Sequence, residues 1–310
     1  MLAATLSPLG YIYGTSVALK HRFQSPYRSR AFVVCVGNLT VGGTGKTPLA
    51  IALARTLHSE HIEVALLTRG YSRPRGNPLL VDPQKHGAET VGDEALLLAK
   101  AAPTIVARNR ADGARLAEAQ GARVIVMDDG YQNFSLAKDL SLVVVDAETG
   151  FGNGRMLPAG PLRESVLAGL VRADGIILTG EGTPVLPGFN GPILRARLVA
   201  ERRFDGVRLT AFAGIGRPEK FFAMLRALGA ELVQTFSFAD HHAYSAAEIT
   251  TLRTRAKGTN TILITTEKDF VRLDRSDRQE IEVLPVHAVF DDPASPMRLL
   301  QPLLAQANAG

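Results

Sequence analysis

Short apolar runs rich in valine, isoleucine and leucine recur along the chain, separated by stretches with the composition of helices. The runs lie at Ala31 to Val36, Glu63 to Thr68, Thr104 to Ala107, Arg123 to Met127, Leu140 to Asp146 and Gly175 to Thr179, and again at Val207 to Ala211, Glu231 to Thr235 and Thr261 to Thr265. Runs of this length read as buried strands, whereas the Ala- and Leu-rich segment Pro48 to Leu57 and the segment Glu219 to Leu228 read as helices. The alternation predicts an α/β protein. Residues 180 to 192, GEGTPVLPGFNGP, break both periodicities and form the best linker candidate. The expected division is a segment over 1–30, a domain over 31–190 and a smaller α/β domain over 191–310. A chain of 310 residues, 46% of them hydrophobic, is long enough to bury a core in each.

The first strong chemical signal sits where the first strand meets the first helix. Between them runs Thr40-Val41-Gly42-Gly43-Thr44-Gly45-Lys46-Thr47. Strand, glycine-rich turn and helix in that order are the context of a phosphate-binding loop. Glycines let backbone N–H groups approach phosphate oxygens, the helix N-terminus favours negative charge, and a lysine neutralises the β and γ phosphates. Thr47 then offers its hydroxyl to Mg²⁺. The usual pattern has a glycine where this chain has Thr40, so the alternative is an ordinary turn with a solvated lysine. Downstream, the run ending at Met127 passes directly into Asp128-Asp129, the position from which a strand-end carboxylate reaches the cation beside Thr47.

Other segments carry weaker signals. Arg69, Tyr71 and Arg73 fall on a glycine- and proline-rich loop, RGYSRPRG, that suits an anionic ligand or is a solvated basic loop. Asp93 stands at a helix start, either as a cap or as a carboxylate exposed at the mouth of the site. Gly150 to Arg163, GFGNGRMLPAGPLR, is a long irregular connection of the kind that is more often functional than idle. In the second half, the adjacent His241 and His242 point different ways on most backbones, so joint metal ligation is not expected. One of them near a phosphate site is the alternative to a satisfied loop histidine. The charged turn Thr266-Glu267-Lys268-Asp269 either lies near a nucleotide or faces solvent.

Charge narrows the class of partner. The formal net charge is +5, and residues 1–30 hold Lys20, Arg22, Arg28 and Arg30 with no acidic residue, so the rest of the chain is near neutral. A nucleic-acid binder would carry a basic stripe on the domain itself, and none is evident. Residues 8 to 22 place Leu9, Ile12, Tyr13 and Val17 near one helical face, with Lys20, His21 and Arg22 at the far end. They fit an interfacial helix on an anionic membrane surface or a helix packed on the domain, and are too short to span a bilayer. The single cysteine, Cys35, lies in an apolar strand and reads as a core residue in a reducing compartment.

Taken together, GNLTVGGTGKTP, RGYSR, VGDEALLLA, DDGYQN, LPAGPLRE, AGIGRPEKFF, FADHHAY and TTEKDFVRL, in that order, resemble the tetraacyldisaccharide 4'-kinase family over nearly the whole chain. The resemblance implies a P-loop α/β/α sandwich joined to a smaller α/β domain, with an amphipathic N-terminal helix on the cytoplasmic face of the bacterial inner membrane. It implies ATP and Mg²⁺ as cofactors, a lipid-linked glucosamine disaccharide 1-phosphate as acceptor, and no nucleic-acid or protein partner.

Carried over by position, Thr40 to Thr47 wrap the triphosphate, Lys46 neutralises it, and Thr47, Asp128 and Asp129 organise Mg²⁺. Asp93 orients the sugar hydroxyl and accepts its proton, with His241, or alternatively His242, raising its basicity or holding its geometry. Arg69, Tyr71, Arg73, Arg110 and Arg163 surround the disaccharide and its 1-phosphate. Relatives often place histidine after DDGxQ, where this chain has Asn133, which keeps a hydrogen bond but carries no charge. The rival readings are a P-loop kinase of a soluble small molecule and a membrane-recruited NTPase switch.

Overall fold

The computed structural model describes residues 24–308 apart from Ser72, Pro74 and Arg75, and the expected interfacial helix over 8–22 lies outside them. In chain order the elements are β1 (Phe32–Gly37), α1 (Lys46–Ser59), β2 (Val64–Thr68), β3 (Leu79–Leu80), α2 (Ala88–Val91), α3 (Asp93–Leu98), β4 (Thr104–Val106), α4 (Arg110–Ala119), β5 (Val124–Asp128), β6 (Leu140–Asp146), α5 (Val166–Leu170), β7 (Gly175–Thr179) and β8 (Ile193–Ala200). They continue with β9 (Arg208–Ala213), α6 (Pro218–Ala227), β10 (Glu231–Ser237), α7 (Ala246–Gly258), β11 (Ile262–Thr266), α8 (Glu267–Phe270), β12 (Ile281–Leu284), β13 (Val286–Phe290) and α9 (Ser295–Asn308).

Nine strands form one sheet in the order β13-β8-β7-β6-β1-β5-β2-β4-β3, parallel except at its two edges. Its central strands are buried on both faces, which is why they read as unbroken apolar runs. Alternation along β1 divides the core: Phe32, Val34 and Val36 pack with Leu49, Leu53 and Leu57 of α1, while Val33 and Cys35 pack with Ala114 and Ala117 of α4. The four-residue spacing of Leu49, Leu53 and Leu57 gives α1 its buried stripe. The chain winds first to one side of β1 (β2, β4, β5) and then to the other (β6, β7, β8), so β1 is the point where the order reverses. In such sheets the crevice at the carboxyl ends of the strands takes the ligand.

The second sheet, β10-β9-β11-β12, is wholly parallel, with Phe221, Phe222 and Leu225 of α6 on one face and Ile249, Leu252 and Ala256 of α7 on the other. The expected boundary at 190 is not where the large sheet ends. β8 follows the glycine- and proline-rich stretch and extends that sheet, and after the small sheet the chain returns to it as β13 and α9. β8 already reads as a strand near the sheet's edge, where Leu194 and Ala196 face the core and alternate with exposed Ile193 and Arg195, and β13 pairs antiparallel with its open side.

Candidate functional site

The carboxyl ends of β1, β5 and β6 meet those of β9 and β11 across a cleft, and the phosphate loop forms its floor. Gly42 and Gly45 have φ of 109° and 81°, left-handed values that a side chain would strain. Gly45 directly precedes the first turn of α1, where Lys46 and Thr47 sit. Thr44 is buried, with Asn38 Nδ2 donating to its hydroxyl at 3.2 Å. The irregular connection 150–163 braces this loop from outside: Val41 N–H donates to Pro161 O at 2.8 Å, Thr40 bridges Leu162, and Arg163 N–H donates to Leu39 O at 2.7 Å. From the other sheet, the turn after β9 closes over it, since a Cβ on Gly216 would lie 3.6 Å from the Gly43 nitrogen.

Thr47 Oγ1 donates to Asp128 Oδ2 at 3.0 Å, as the sequence leads one to expect of a strand-end aspartate beside the loop. Asp128 is buried and its Oδ1 has no hydrogen-bond partner among the described residues. Burial, with the charges of Glu94 and Asp129, pushes its carboxyl up to about 7. An ionisable oxygen left unpaired beside a threonine hydroxyl fits a hard divalent cation such as Mg²⁺, which takes one or two carboxylates and completes its shell with water and phosphate. The described residues contain no cluster of three or more His, Cys, Asp or Glu side chains able to cage a metal.

Asp129 adopts φ 49° and turns the other way. Arg163 holds it in a fork, Nη1 to Oδ1 at 2.8 Å and Nη2 to Oδ2 at 3.1 Å, and Lys46 Nζ lies 3.8 Å from Oδ1. Burial raises the Asp129 carboxyl, but the Lys46 and Arg163 charges outweigh it and hold it below the ordinary value.

On the opposite wall, Asp93 opens α3. The cap position belongs to Gly92 (φ 88°), where a Cβ would come within 2.9 Å of Tyr71 O, and Asp93 is neither a cap nor exposed. Its Oδ1 accepts from Glu94 N–H at 2.9 Å, and its Oδ2 faces His241 Nδ1 at 3.0 Å and Arg272 Nε at 2.7 Å. Burial raises its carboxyl, yet the hydrogen bond with His241 and the charges of Lys268 and Arg272 prevail, leaving it well below the usual carboxylate range. Of the two adjacent histidines, His241 (φ 59°) turns to Asp93 and stacks on Tyr71 with centroids 4.4 Å apart. His242 instead pairs with Glu248 at 3.1 Å and stacks on Phe238.

The expected arginine set is not one cluster of free cations. Arg69 is exposed. Arg73 is tied to backbone carbonyls, Val106 O at 3.1 Å and Asn77 O at 2.8 Å, and Arg163 is taken up by Asp129. Arg110 is buried, donates to Ala107 O at 2.6 Å, and has its pKa drawn down to about 10 by burial and by Arg69. Beside Arg110 and the DDGYQN turn, a cleft of about 770 Å³ opens between Tyr27, Arg108, Asn109, Arg115 and Asn133. The Asn133 side chain accepts from Ser135 and stabilises the local turn.

Sequence reading missed Arg272 as a partner of Asp93, and left the turn 266–269 open. That turn is neither solvent-facing nor loose: Thr266 caps α8, Asp269 is fully buried, and Lys268 reaches Glu94. Lys268 and Arg272 are four residues apart in TTEKDFVRL, a spacing that brings two cations to one side of a helical turn, and this was the available signal, although α8 itself ends at Phe270. Two further joints bind the sheets together. Arg217 and Lys220 both reach the buried Asp146 at 2.9 Å, and Lys100 pairs with Glu267 at 2.9 Å.

Comparison with known proteins gives a concordant result. The family described as Tetraacyldisaccharide-1-P 4'-kinase matches residues 2–305. The tetraacyldisaccharide 4'-kinase of Rhodospirillum rubrum is 48% identical over 97% of this chain and 94% of its own length. A tetraacyldisaccharide 4'-kinase of Methylorubrum extorquens is 49% identical over 98% of this chain and 94% of its own. A crystal structure of LpxK from Aquifex aeolicus in complex with ATP superposes with a TM-score of 0.80 at 26% identity, covering 98% of this chain and 100% of that one.

Proposed function

The chain belongs to the tetraacyldisaccharide-1-P 4'-kinase family, and from that premise we propose how its residues carry the reaction. It is an ATP-dependent kinase of lipid A biosynthesis that transfers the γ-phosphate to the 4'-hydroxyl of tetraacyldisaccharide 1-phosphate. Phosphoryl transfer asks little covalent chemistry of a protein; it asks for in-line placement and neutralised charge. Residues 40–47 wrap the triphosphate with backbone N–H groups, and Lys46 swings from Asp129 to the β and γ phosphates. Thr47 and Asp128, with Asp129 beside them once Lys46 has moved to the phosphates, would hold Mg²⁺, which would supply charge neutralisation on the transferred group. Arg163, forked on Asp129, keeps that carboxylate ionised and aimed.

Asp93 meets the acceptor hydroxyl with the free lone pair of Oδ1. A hydrogen bond from His241 stabilises a carboxylate and weakens it as a base, so the role that fits His241 is holding Asp93 in place rather than raising its basicity. A weak base suffices where the hydroxyl proton is lost late. The disaccharide and its 1-phosphate lie over Tyr71 and toward Arg69 and Arg110, with the cleft beside Asn133 as the space for the headgroup. Arg73 acts there indirectly, by fixing the loop that carries Tyr71. We place the enzyme on the cytoplasmic face of the inner membrane, docked through residues 8–22. Among the described residues no helix is long and apolar enough to cross a membrane.

The observation that carries this reading is the Asp93–His241 pair, assembled from two sheets above a phosphate loop. A switch that only hydrolyses nucleotide has no use for an acceptor-facing pair. The test is incubation of the protein with γ-labelled ATP, Mg²⁺ and tetraacyldisaccharide 1-phosphate in detergent micelles. Label at the 4' position is expected; nucleotide hydrolysis without labelled glycolipid would reject the assignment of these residues to acceptor phosphorylation.

A further inference from the structure

The groups that hold Asp93 Oδ2 come from the small sheet, and they are themselves immobilised. Arg272 Nε approaches Oδ2 at 2.7 Å, closer than His241 at 3.0 Å. Its Nη1 donates to Gly214 O at 2.8 Å and to Asp269 Oδ1 at 2.9 Å. Asp269 is fixed in turn by Gly214 N–H (2.9 Å), the Tyr244 hydroxyl (2.8 Å) and the Thr266 hydroxyl (2.6 Å). Three donors on Asp269 besides the arginine fix that carboxylate, and the Arg272 side chain, only 7% exposed, is held through Nε and Nη1 while its Nη2 has no partner among the described residues. A planar fork so braced transmits its geometry to the carboxylate it touches.

Lys268 acts on the other member of the pair. Its Nζ lies 3.4 Å from His241 Nε2 and 3.3 Å from Glu94 Oε1. An ammonium group has donors and no acceptor, so a hydrogen bond from Lys268 uses the Nε2 lone pair and leaves the imidazole proton on Nδ1, pointing at Asp93, against the pull of Asp240 Oδ1 at 3.9 Å from the same Nε2. Tyr71, stacked on the ring, resists its rotation.

We propose that Arg272 and Lys268 are positioning residues for the phosphoryl transfer: Arg272 fixes the Asp93 carboxylate against the acceptor hydroxyl, and Lys268 fixes the His241 ring with Nδ1–H donating to it. The inference rests on the reading of Asp93 as the group that orients the acceptor. In the step so arranged, the acceptor oxygen bonds the γ-phosphorus and the bond to the β–γ bridging oxygen breaks, its electron pair leaving on ADP. The hydroxyl proton passes to Asp93. His241 keeps its own proton throughout, and Arg272 holds in place the carboxylate that receives the hydroxyl proton.

The experiment uses the full chain and the variants Arg272→Met, Arg272→Lys, Lys268→Met and Asp93→Asn. Rates of 4'-phosphorylation are followed against pH, with thermal denaturation as a control and ¹⁵N-imidazole NMR of the resting enzyme. Arg272→Met is expected to lose roughly 10- to 100-fold in kcat with KM for ATP unchanged, to shift the acid limb of its pH profile upward, and to regain part of its rate as Arg272→Lys. Lys268→Met is expected to lose about tenfold in kcat and to show His241 as a mixture of tautomers. A folded Arg272→Met with wild-type kcat and pH profile overturns the proposal. So does loss of rate in step with melting temperature at an unmoved pH profile, or an unchanged His241 tautomer in Lys268→Met. Full activity in Asp93→Asn would instead remove the underlying reading, whereas an inactive Asp93→Asn beside a normal Arg272→Met removes the inference alone.

Discussion

Thr47 Oγ1 and Asp128 Oδ2 lie 3.0 Å apart although 81 residues separate them, and this hydrogen bond joins the start of α1 to the end of β5 at the floor of the cleft. It satisfies only one oxygen of a buried carboxylate whose pKa burial pushes up to about 7. A folded-state pKa above the unfolded value means that the folded chain binds protons more tightly, so stability falls as pH rises from about 4 through 7. Asp128→Asn is therefore expected to abolish turnover while raising the melting temperature of the nucleotide-free protein. The gain should be on the order of a few kcal/mol at pH 8 and smaller at pH 5, as read by calorimetry at both values. A stabilisation independent of pH would contradict this origin.

Lys46→Ala removes the cation nearest the transferred phosphate and leaves the backbone of α1 intact. Turnover is expected to drop by about 10²-fold or more, with the melting temperature changed little, because Lys46 makes a single long ion pair to Asp129. Parallel loss of activity and folded protein in a circular-dichroism melt would assign Lys46 a structural role instead.

The joint between the two sheets at Asp146 has its own pH signature. Burial raises the Asp146 carboxyl, but hydrogen bonds and charge from Lys220, the Thr149 N–H and Arg217 outweigh it and hold it below the ordinary value. A depressed folded-state pKa adds stability above the unfolded value and loses it as pH falls. Replacing both Arg217 and Lys220 with alanine is expected to cost roughly 1–3 kcal/mol at pH 7, discounted for the partial exposure of both cations, and less near pH 3. Denaturant titration at the two pH values measures the difference.

Removal of residues 1–22 tests membrane docking separately from catalysis. The truncated chain is expected to bind ATP normally and to lose co-flotation with vesicles containing anionic lipid. Undiminished flotation would move the docking surface elsewhere on the protein.

Asp93→Ala is expected to lose nearly all turnover while remaining folded at neutral pH. Its removal leaves Arg272 and His241 facing each other without the carboxylate, so a modest fall in melting temperature accompanies the loss. Near-wild-type rates in the labelled-ATP assay would take Asp93 out of the reaction.

What the sequence determined by itself was local. The apolar runs became strands within a residue or two, and the glycine-rich segment 40–47 joined strand to helix as expected. Asp128 appeared at the strand end where a carboxylate meets the loop, because each of these features is written in contiguous residues and short-range geometry. The tertiary structure decided the rest. Whether His241 or His242 faces Asp93 depends on a left-handed φ of 59° at His241 and on how the small sheet docks against the large one. Arg272 reaches Asp93 across 179 residues, and β13 returns to the large sheet after the small one is complete. Such pairings cannot be read from periodicity: they arise where the cores of two sheets meet, and only the shape of that meeting selects which charged side chains end up face to face.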